Sequence, residues 1–151
     1  MAFYFLETSA LVKLYVREPG TERMLALATR SSENQLAILD LSQVELRSAI
    51  RRREKAGDIP TVVADELLAT FKGHIEGRFI IQKLTDFVLD IASALVDRHT
   101  LRAFDAIQLA GYAVLKSSAR SETPTFVCSD QALLMAAKQE GMAILDPSST
   151  L

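Results

Sequence analysis

The sequence predicts an α/β fold in three layers, α/β/α, with a central parallel sheet of about four to five strands. Short apolar runs alternate with longer segments whose apolar residues recur at helical spacing. Such alternation is typical of βαβ units, in which helices cover both faces of a parallel sheet. The 151 residues are 49% hydrophobic and 24% charged, as in an ordinary globular chain. This length predicts one domain that spans residues 1–151.

The first predicted strand is the aromatic-rich apolar run at residues 2–6 (AFYFL). Thr8 and Ser9 are good N-cap residues for a helix over 10–16. The Pro-Gly pair at residues 19–20 then ends that helix, since proline and glycine interrupt regular structure. The chain therefore starts with a strand followed by a helix, the first half of a βαβ unit.

The next elements are a helix over 21–30 and an apolar strand over 36–39. A long helix starts at residue 40 or 42 and ends at residue 55, where Gly57 follows as a stop signal. Another helix, entered through a proline, covers 61–74. This half of the chain is predicted to be mostly helical.

The second half repeats the alternation. Apolar residues at helical spacing predict a helix over 85–98, and a helix over 104–115 is apolar on most faces, which indicates packing on two sides. The remaining predicted elements are strands at 79–82, 125–128 and 143–145 and a helix over 130–139.

The overall composition excludes several classes of protein. A formal charge of −2 argues against a strong, non-specific nucleic-acid binder. The single cysteine, Cys128, excludes an internal disulfide and a cysteine-based zinc site, and it favours a reducing cytoplasm. Every apolar stretch is too short to span a bilayer, which needs about 20 residues, so we expect no membrane segment.

Four carboxylates stand at positions where an open α/β sheet binds ligands, outside the carboxyl ends of its strands. Glu7 and Asp130 each follow a predicted strand, and Glu45 and Asp105 lie in the first turns of helices. For three of them a structural role is an alternative. Glu45 completes an S-x-x-E capping box with Ser42, and Asp105 and Asp130 could be helix caps. Glu7 lacks this explanation, because Thr8 and Ser9 are better caps.

Four local sequences resemble the motifs of PIN-domain nucleases, above all the VapC-type toxins of toxin–antitoxin pairs. They are residues 6–15 (LETSALVKLY), 42–49 (SQVELRSA), 101–110 (LRAFDAIQLA) and 126–130 (FVCSD). They occur in family order, and the match runs from residue 4 to residue 147. The resemblance implies the PIN fold and a divalent-metal-dependent endoribonuclease. It also implies a homodimer and a cognate antitoxin.

The resemblance makes Glu7, Glu45, Asp105 and Asp130 the acidic set of the site. Carboxylate ligands favour Mg²⁺ or Mn²⁺ over zinc, and the chain has only two histidines, neither in a metal-ligand pattern. We expect Glu7, Asp105 and Asp130 to hold the principal ion, with Glu45 holding a second ion or orienting the water. Ser9 is expected to support Glu7 by a hydrogen bond.

Two residues depart from the family pattern. The family nearly always has Asp where this chain has Glu7, and often has Thr or Ser where it has Cys128. A longer acid moves its carboxylate by roughly one ångström, which can cost about 10²-fold in rate. An alternative function is therefore an RNA- or protein-binding module with a weakened or inactive site. We expect Cys128 to be a buried residue at a strand end.

An RNA substrate requires positive charge near the acids. The candidates for phosphate contacts are Lys13, Arg47 and Arg51, while Arg52 and Arg53 are expected on a solvated helix face. If four of the 19 acidic residues hold metal, 15 remain against 17 basic ones, so the net charge is compatible with an RNA substrate.

Overall fold

A computed structural model describes residues 1–149 of the chain. The strands are β1 (Phe3–Leu6), β2 (Gln35–Leu39), β3 (Phe79–Gln82), β4 (Thr125–Val127) and β5 (Ile144–Leu145). The helices are α1 (Thr8–Leu11), α2 (Thr21–Ala28), α3 (Ser42–Lys55), α4 (Thr61–Gly77), α5 (Asp86–His99), α6 (Ala103–Ser118) and α7 (Gln131–Gln139). Short 3₁₀ segments occupy Val12–Leu14 and Arg30–Ser32.

The five strands form one parallel sheet in the order β3-β2-β1-β4-β5. The chain builds outward from β1 through β2 to β3, and it later returns to the other side of β1 with β4 and β5. The strand order thus reverses at β1. In open parallel sheets, such a reversal leaves a crevice beyond the carboxyl ends of the central strands, where ligands bind.

Alternate residues of the strands face two separate cores, which gives the three layers. Phe5 and Leu39 point to a core shared with α5, α6 and α7. Leu6 and Ile38 point to a second core formed with helices α1 to α4. Because successive side chains of a strand lie on opposite faces, both faces of the sheet are buried. The predicted α/β/α fold with four to five parallel strands is confirmed.

Helix α6 lies especially close to the sheet at Gly111. A Cβ atom at this position would lie 2.7 Å from Leu39 Cδ1 in β2, so a larger residue would require the Leu39 side chain to move. Gln108 lies nearly one turn before Gly111 on the same helix. The close approach therefore brings the first turns of α6 against the carboxyl edge of the sheet.

The helix boundaries differ from the prediction at several ends. The first helix begins at Thr8 and continues as a 3₁₀ segment from Val12, because Glu7 serves as its N-cap. Helix α4 extends to Gly77 and α6 to Ser118, since no strong helix-breaking sequence occurs at the predicted ends. Within residues 1–149, none of the helices has the length and apolar character needed to cross a membrane.

Candidate active site

The four carboxylates predicted from the sequence are all carried to the carboxyl edge of the sheet, around its central strand. Glu7 directly follows β1 and Asp130 is the N-cap of α7, beyond β4. Glu45 and Asp105 lie in the first turns of α3 and α6. Arg102 links Asp105 with Asp130, whereas Glu7 and Glu45 interact through the repulsion of their charges.

Glu7 is the N-cap of the first helix, which corrects the expectation that Thr8 or Ser9 caps it. Its Oε2 atom accepts a hydrogen bond of 2.9 Å from the Ser9 backbone N–H and another from the Ser9 hydroxyl. The Ser9 hydroxyl in turn accepts a 2.8 Å bond from the Ser129 N–H. Ser9 therefore fixes Glu7 and also joins the ends of β1 and β4.

The Glu7 carboxyl is buried without a neutralising cation. The residue is 6% exposed, and no Lys, Arg or His among residues 1–149 forms an ion pair with it. Burial raises the pKa of Glu7 above its ordinary value and the charge of Glu45 raises it further, although the Ser9 hydrogen bonds oppose these effects. A buried, unpaired carboxylate is costly, so this position favours either a proton or a bound cation.

Glu45 is held by side chains rather than by the start of its own helix. Its Oε1 atom accepts hydrogen bonds from Thr8 Oγ1 at 2.9 Å and from Gln108 Nε2 at 2.7 Å. The capping-box alternative is wrong, because α3 begins at Ser42 and Leu41 is its N-cap, without a side-chain cap. In the described part of the chain, Glu45 Oε2 accepts no hydrogen bond.

Gln108 is the residue of this network that the sequence reasoning missed. It is 1% exposed, and its Nε2 atom lies within hydrogen-bonding distance of Thr8 Oγ1 (3.1 Å) and Ser42 Oγ (2.9 Å), in addition to Glu45. Its Oε1 atom is buried and has no partner among the described residues. A lone amide within an apolar helix, three residues after Asp105, was the available signal.

Asp105 and Asp130 share one guanidinium group. Arg102 Nε donates to Asp105 Oδ2 at 3.1 Å, and Arg102 Nη2 lies 3.7 Å from Asp130 Oδ2. The other Asp130 oxygen, Oδ1, accepts a 3.0 Å bond from the Leu133 N–H and caps α7, as the structural alternative expected. A capping role therefore leaves one oxygen of Asp130 free to face a cation.

The donor chemistry of the site fits a hard divalent cation. The four acids supply carboxylate oxygens, Glu7 has no cation beside it, and Arg102 already occupies the place of a cation between the other two acids. As arranged within residues 1–149, however, no three His, Cys, Asp or Glu side chains form a group that could hold a metal ion. The site is thus divided between an uncompensated pair and a pair bridged by arginine.

Cys128 is fully buried at the end of β4, as expected. Its Sγ atom accepts a 3.3 Å hydrogen bond from the Asp130 N–H, so the thiol shapes the turn that presents this acid. Burial raises the pKa of Cys128, and the neighbouring charge of Glu7 adds to the effect. The group remains a thiol rather than a reactive thiolate.

The predicted phosphate contacts are not gathered at this edge. Lys13 is 6% exposed and its ammonium lies 3.2 Å from Glu18. Arg51 pairs with Glu54 and with Asp65 of α4, each at 3.0 Å. Arg47 lines a different cleft, together with residues of α4. The placement therefore gives no support to phosphate contacts by these three residues.

Arg52 is exposed, as expected, and it also lines the cleft that contains Glu45. This cleft has a volume of about 250 Å³, and Thr8 and Ser48 also line it. Arg52 follows Glu45 by seven residues, which is two helical turns, so both side chains lie on one face of α3. The i+7 spacing was the sequence signal for this contact.

The sequence matches no model of a protein family. It is 31% identical over 147 residues to the protein named Ribonuclease VapC47 from Mycobacterium tuberculosis (strain CDC 1551 / Oshkosh). The match covers 96% of this chain and 97% of the relative. The chain belongs to the VapC-type family of PIN-domain nucleases. The family indicated by the four motifs is confirmed, and the VapC-type assignment extends over nearly the whole chain.

Solved structures of VapC-type proteins and related complexes share this fold. A toxin–antitoxin complex from Klebsiella pneumoniae matches with a TM-score of 0.66 at 14% identity, covering 95% of this chain and 97% of the other. FitAcB from Neisseria gonorrhoeae matches with a TM-score of 0.64 at 18% identity and the same coverage. VapBC2 from Rickettsia felis, bound to a promoter DNA fragment, gives 0.59 at 14% identity, again covering 95% and 97%. These similarities show the fold.

Proposed function

We propose that this protein is a divalent-metal-dependent endoribonuclease that hydrolyses RNA phosphodiester bonds as the toxin of a toxin–antitoxin pair. The proposal is supported above all by the buried Glu7 carboxyl, which has no cation beside it among residues 1–149, in a chain whose full-length relative is named a ribonuclease. The same relationship favours an enzyme over the alternative of a binding module. The toxin–antitoxin complexes among the structural neighbours support a cognate antitoxin as partner.

The acidic residues take separate roles in the proposed reaction. Glu7, Asp105 and Asp130 would hold Mg²⁺ or Mn²⁺, and Glu45 would hold a second ion or orient the water. Bound divalent ions lower the pKa of water and neutralise charge on the phosphate. Glu45 has one oxygen fixed by Thr8 and Gln108, which leaves Oε2 as the acceptor for a proton of the attacking water.

Two other residues prepare the site. Ser9 holds the Glu7 carboxylate in one orientation through its hydroxyl and its N–H. Arg102 keeps Asp105 and Asp130 together, and it would have to release them for both acids to hold a metal ion. Because Arg102 is largely exposed, its side chain can move without disturbing the core.

The test is cleavage of RNA by the purified protein free of antitoxin. We expect cleavage in Mg²⁺ or Mn²⁺, and loss of cleavage with EDTA or in Asp105→Asn. Asp97→Asn is the matched control, because Asp97 is exposed on α5. Intact RNA with the wild type, under conditions in which a known relative cuts, would contradict the proposal.

The assembly is tested separately. We expect a homodimer, whose molar mass is measured by light scattering. We also expect the cognate antitoxin to bind tightly to this homodimer when the two proteins are co-expressed. A monomer at all concentrations would contradict the dimer and leave the nuclease proposal in place.

A further inference from the structure

A large aromatic side chain is exposed beside the acids. Phe104 directly precedes Asp105 at the start of α6, and it is 58% exposed. Its ring lines the 250 Å³ cleft that also contains Glu45 and Thr8. On the other wall, Val44 is exposed next to Glu45. Glu45 and Asp105 are therefore bordered by an apolar surface.

The same cleft contains a cation that lacks an acidic partner. Arg52 has one hydrogen bond among the described residues, from Nη1 to Ser48 Oγ at 3.0 Å, and it forms no ion pair there. The neighbouring arginines differ, since Arg51 pairs with Glu54 and Asp65 and Arg53 pairs with Glu18. The guanidinium of Arg52 is thus available to an anion that enters the cleft.

An exposed aromatic ring together with an unpaired cation is the combination that binds single-stranded nucleic acid. Bases stack on the ring, while the cation contacts the phosphate backbone. A base within a duplex is already stacked and paired, so it cannot lie flat on the ring. Glu45 and Thr8 place this combination next to the proposed hydrolytic centre.

We infer that the cleft between α3 and α6 is a subsite for one nucleotide of single-stranded RNA, with its base stacked on Phe104 and its phosphate on Arg52. The inference rests on the proposed function and adds to it a preference for unpaired RNA. The small volume of the cleft limits the subsite to about one nucleotide, because pockets for larger ligands occupy roughly 300–1,000 Å³.

Binding is measured without cleavage, as the fluorescence anisotropy of a short labelled single-stranded RNA in EDTA. We expect Phe104→Ala to weaken binding by about 5- to 150-fold, the range for the loss of one stacked base. Phe104→Trp should bind at least as tightly as the wild type. Arg52→Gln should weaken binding and reduce the slope of log K against log salt by about 0.7, the value for one phosphate contact on a single strand.

Matched controls separate this subsite from general effects. Phe87→Ala removes an equally exposed ring on α5, and Arg23→Gln removes an exposed arginine of α2 that lines a different cleft. Both controls should bind like the wild type. Because Phe104 and Arg52 are exposed, all variants should retain the wild-type melting temperature.

Three outcomes would overturn the inference. The first is wild-type affinity in Phe104→Ala and Arg52→Gln while the wild type still cleaves RNA in Mn²⁺, which leaves the proposed function intact. The second is that duplex RNA binds as tightly as single-stranded RNA, and that Phe104→Ala and Arg52→Gln weaken the binding of both equally. The third is a loss of binding to a partner protein with no loss for RNA, which would make the cleft a protein-docking surface. Failure of the wild type to cleave any RNA counts separately, against the proposed function.

Discussion

Glu7 and Glu18 lie on either side of the first helical segment, and their carboxyl groups have opposite electrostatic surroundings. Glu18 accepts hydrogen bonds from two cations, Lys13 at 3.2 Å and Arg53. Glu7 is more buried, yet it contacts hydroxyl, amide and thiol groups and no cation among residues 1–149. The Glu18 carboxylate is therefore compensated by the protein itself, whereas Glu7 is left to be compensated from outside.

This difference separates a carboxylate that stabilises the fold from one whose position favours function. A paired, partly buried acid contributes to stability because its partners need it. A buried acid without a cation opposes folding unless a proton or an ion joins it. The same residue type thus has opposite expected effects on mutation, and the five predictions below are given in order of decreasing size.

Glu7→Gln should reduce RNA cleavage by more than about 100-fold, because even partners of metal ligands contribute about 10- to 100-fold. In EDTA it should raise the melting temperature, since it removes a buried charge that has no partner. Mn²⁺ should raise the melting temperature of the wild type but not of the variant. Calorimetry with and without Mn²⁺ measures the melting temperatures of the variant and the wild type. A lower melting temperature of the variant than of the wild type in EDTA would contradict our account of Glu7.

Glu7→Asp tests the same position with the charge retained. Ser9 holds the glutamate carboxyl through two hydrogen bonds, from its N–H and from its hydroxyl. We expect Glu7→Asp to cleave more slowly, because a shorter side chain moves the carboxylate by roughly one ångström. A large gain of cleavage would instead support a weakened native site.

Glu18→Gln should lower the free energy of unfolding by about 2 kcal/mol, somewhat less than for a fully buried pair. The variant leaves the buried ammonium of Lys13 without its partner. Urea denaturation at neutral pH measures the loss. Glu22→Gln is the control, because the ion pair of Glu22 with Arg17 is fully solvated and worth little. A gain in stability would remove the contrast with Glu7.

Gln108→Leu should lower kcat by about 10-fold with little change in KM, because Gln108 orients Glu45 without touching the substrate. Stability should fall by about 1 kcal/mol as three hydrogen-bonding oxygens lose a donor. Gln139→Leu on the exposed face of α7 is the control. A purely structural role would change stability and leave the pH profile of kcat unaltered, which is the outcome that would exclude positioning.

A substitution of Glu140 is expected to have the smallest effect on stability, and this effect depends on pH. Hydrogen bonds from Arg98 and His99 hold the pKa of Glu140 below its ordinary value. The contribution of Glu140 to the free energy of unfolding is therefore present above the pKa of the unfolded state. It is lost as the pH falls through the lower pKa of the folded state. Glu140→Gln should cost about 1 kcal/mol at neutral pH. The difference from the wild type should shrink as the pH is taken below 4.5, as followed by urea denaturation.

Much of the fold was predictable because strands and helices leave local patterns. The apolar runs before Glu7 and before Asp130 identified two parallel strands, and the carboxyl ends of such strands lie at one edge. That rule was enough to place Glu7 and Asp130 near each other. The helix starts at Glu45 and Asp105 were predicted in the same way, from periodicity and capping residues.

The partners of these acids were not predictable, because they come from distant parts of the chain. Thr8 and Gln108 are 37 and 63 residues away from Glu45, and only the packing of α6 at Gly111 brings Gln108 into reach. The capping box was the structural alternative for Glu45, and the packing of α3 against α1 and α6 decided its contacts instead.

The sequence by itself determined the alternation of strands and helices along the chain and the family, and it made the four acids candidates, since these depend on local patterns and on motifs. Only the tertiary structure decided which carboxylates are compensated. Glu7 and Glu18 are the same residue type within one short segment, and nothing local distinguishes their charge partners. Electrostatic compensation depends on which cations lie within a few ångströms, and in a folded chain the packing of distant segments sets that distance.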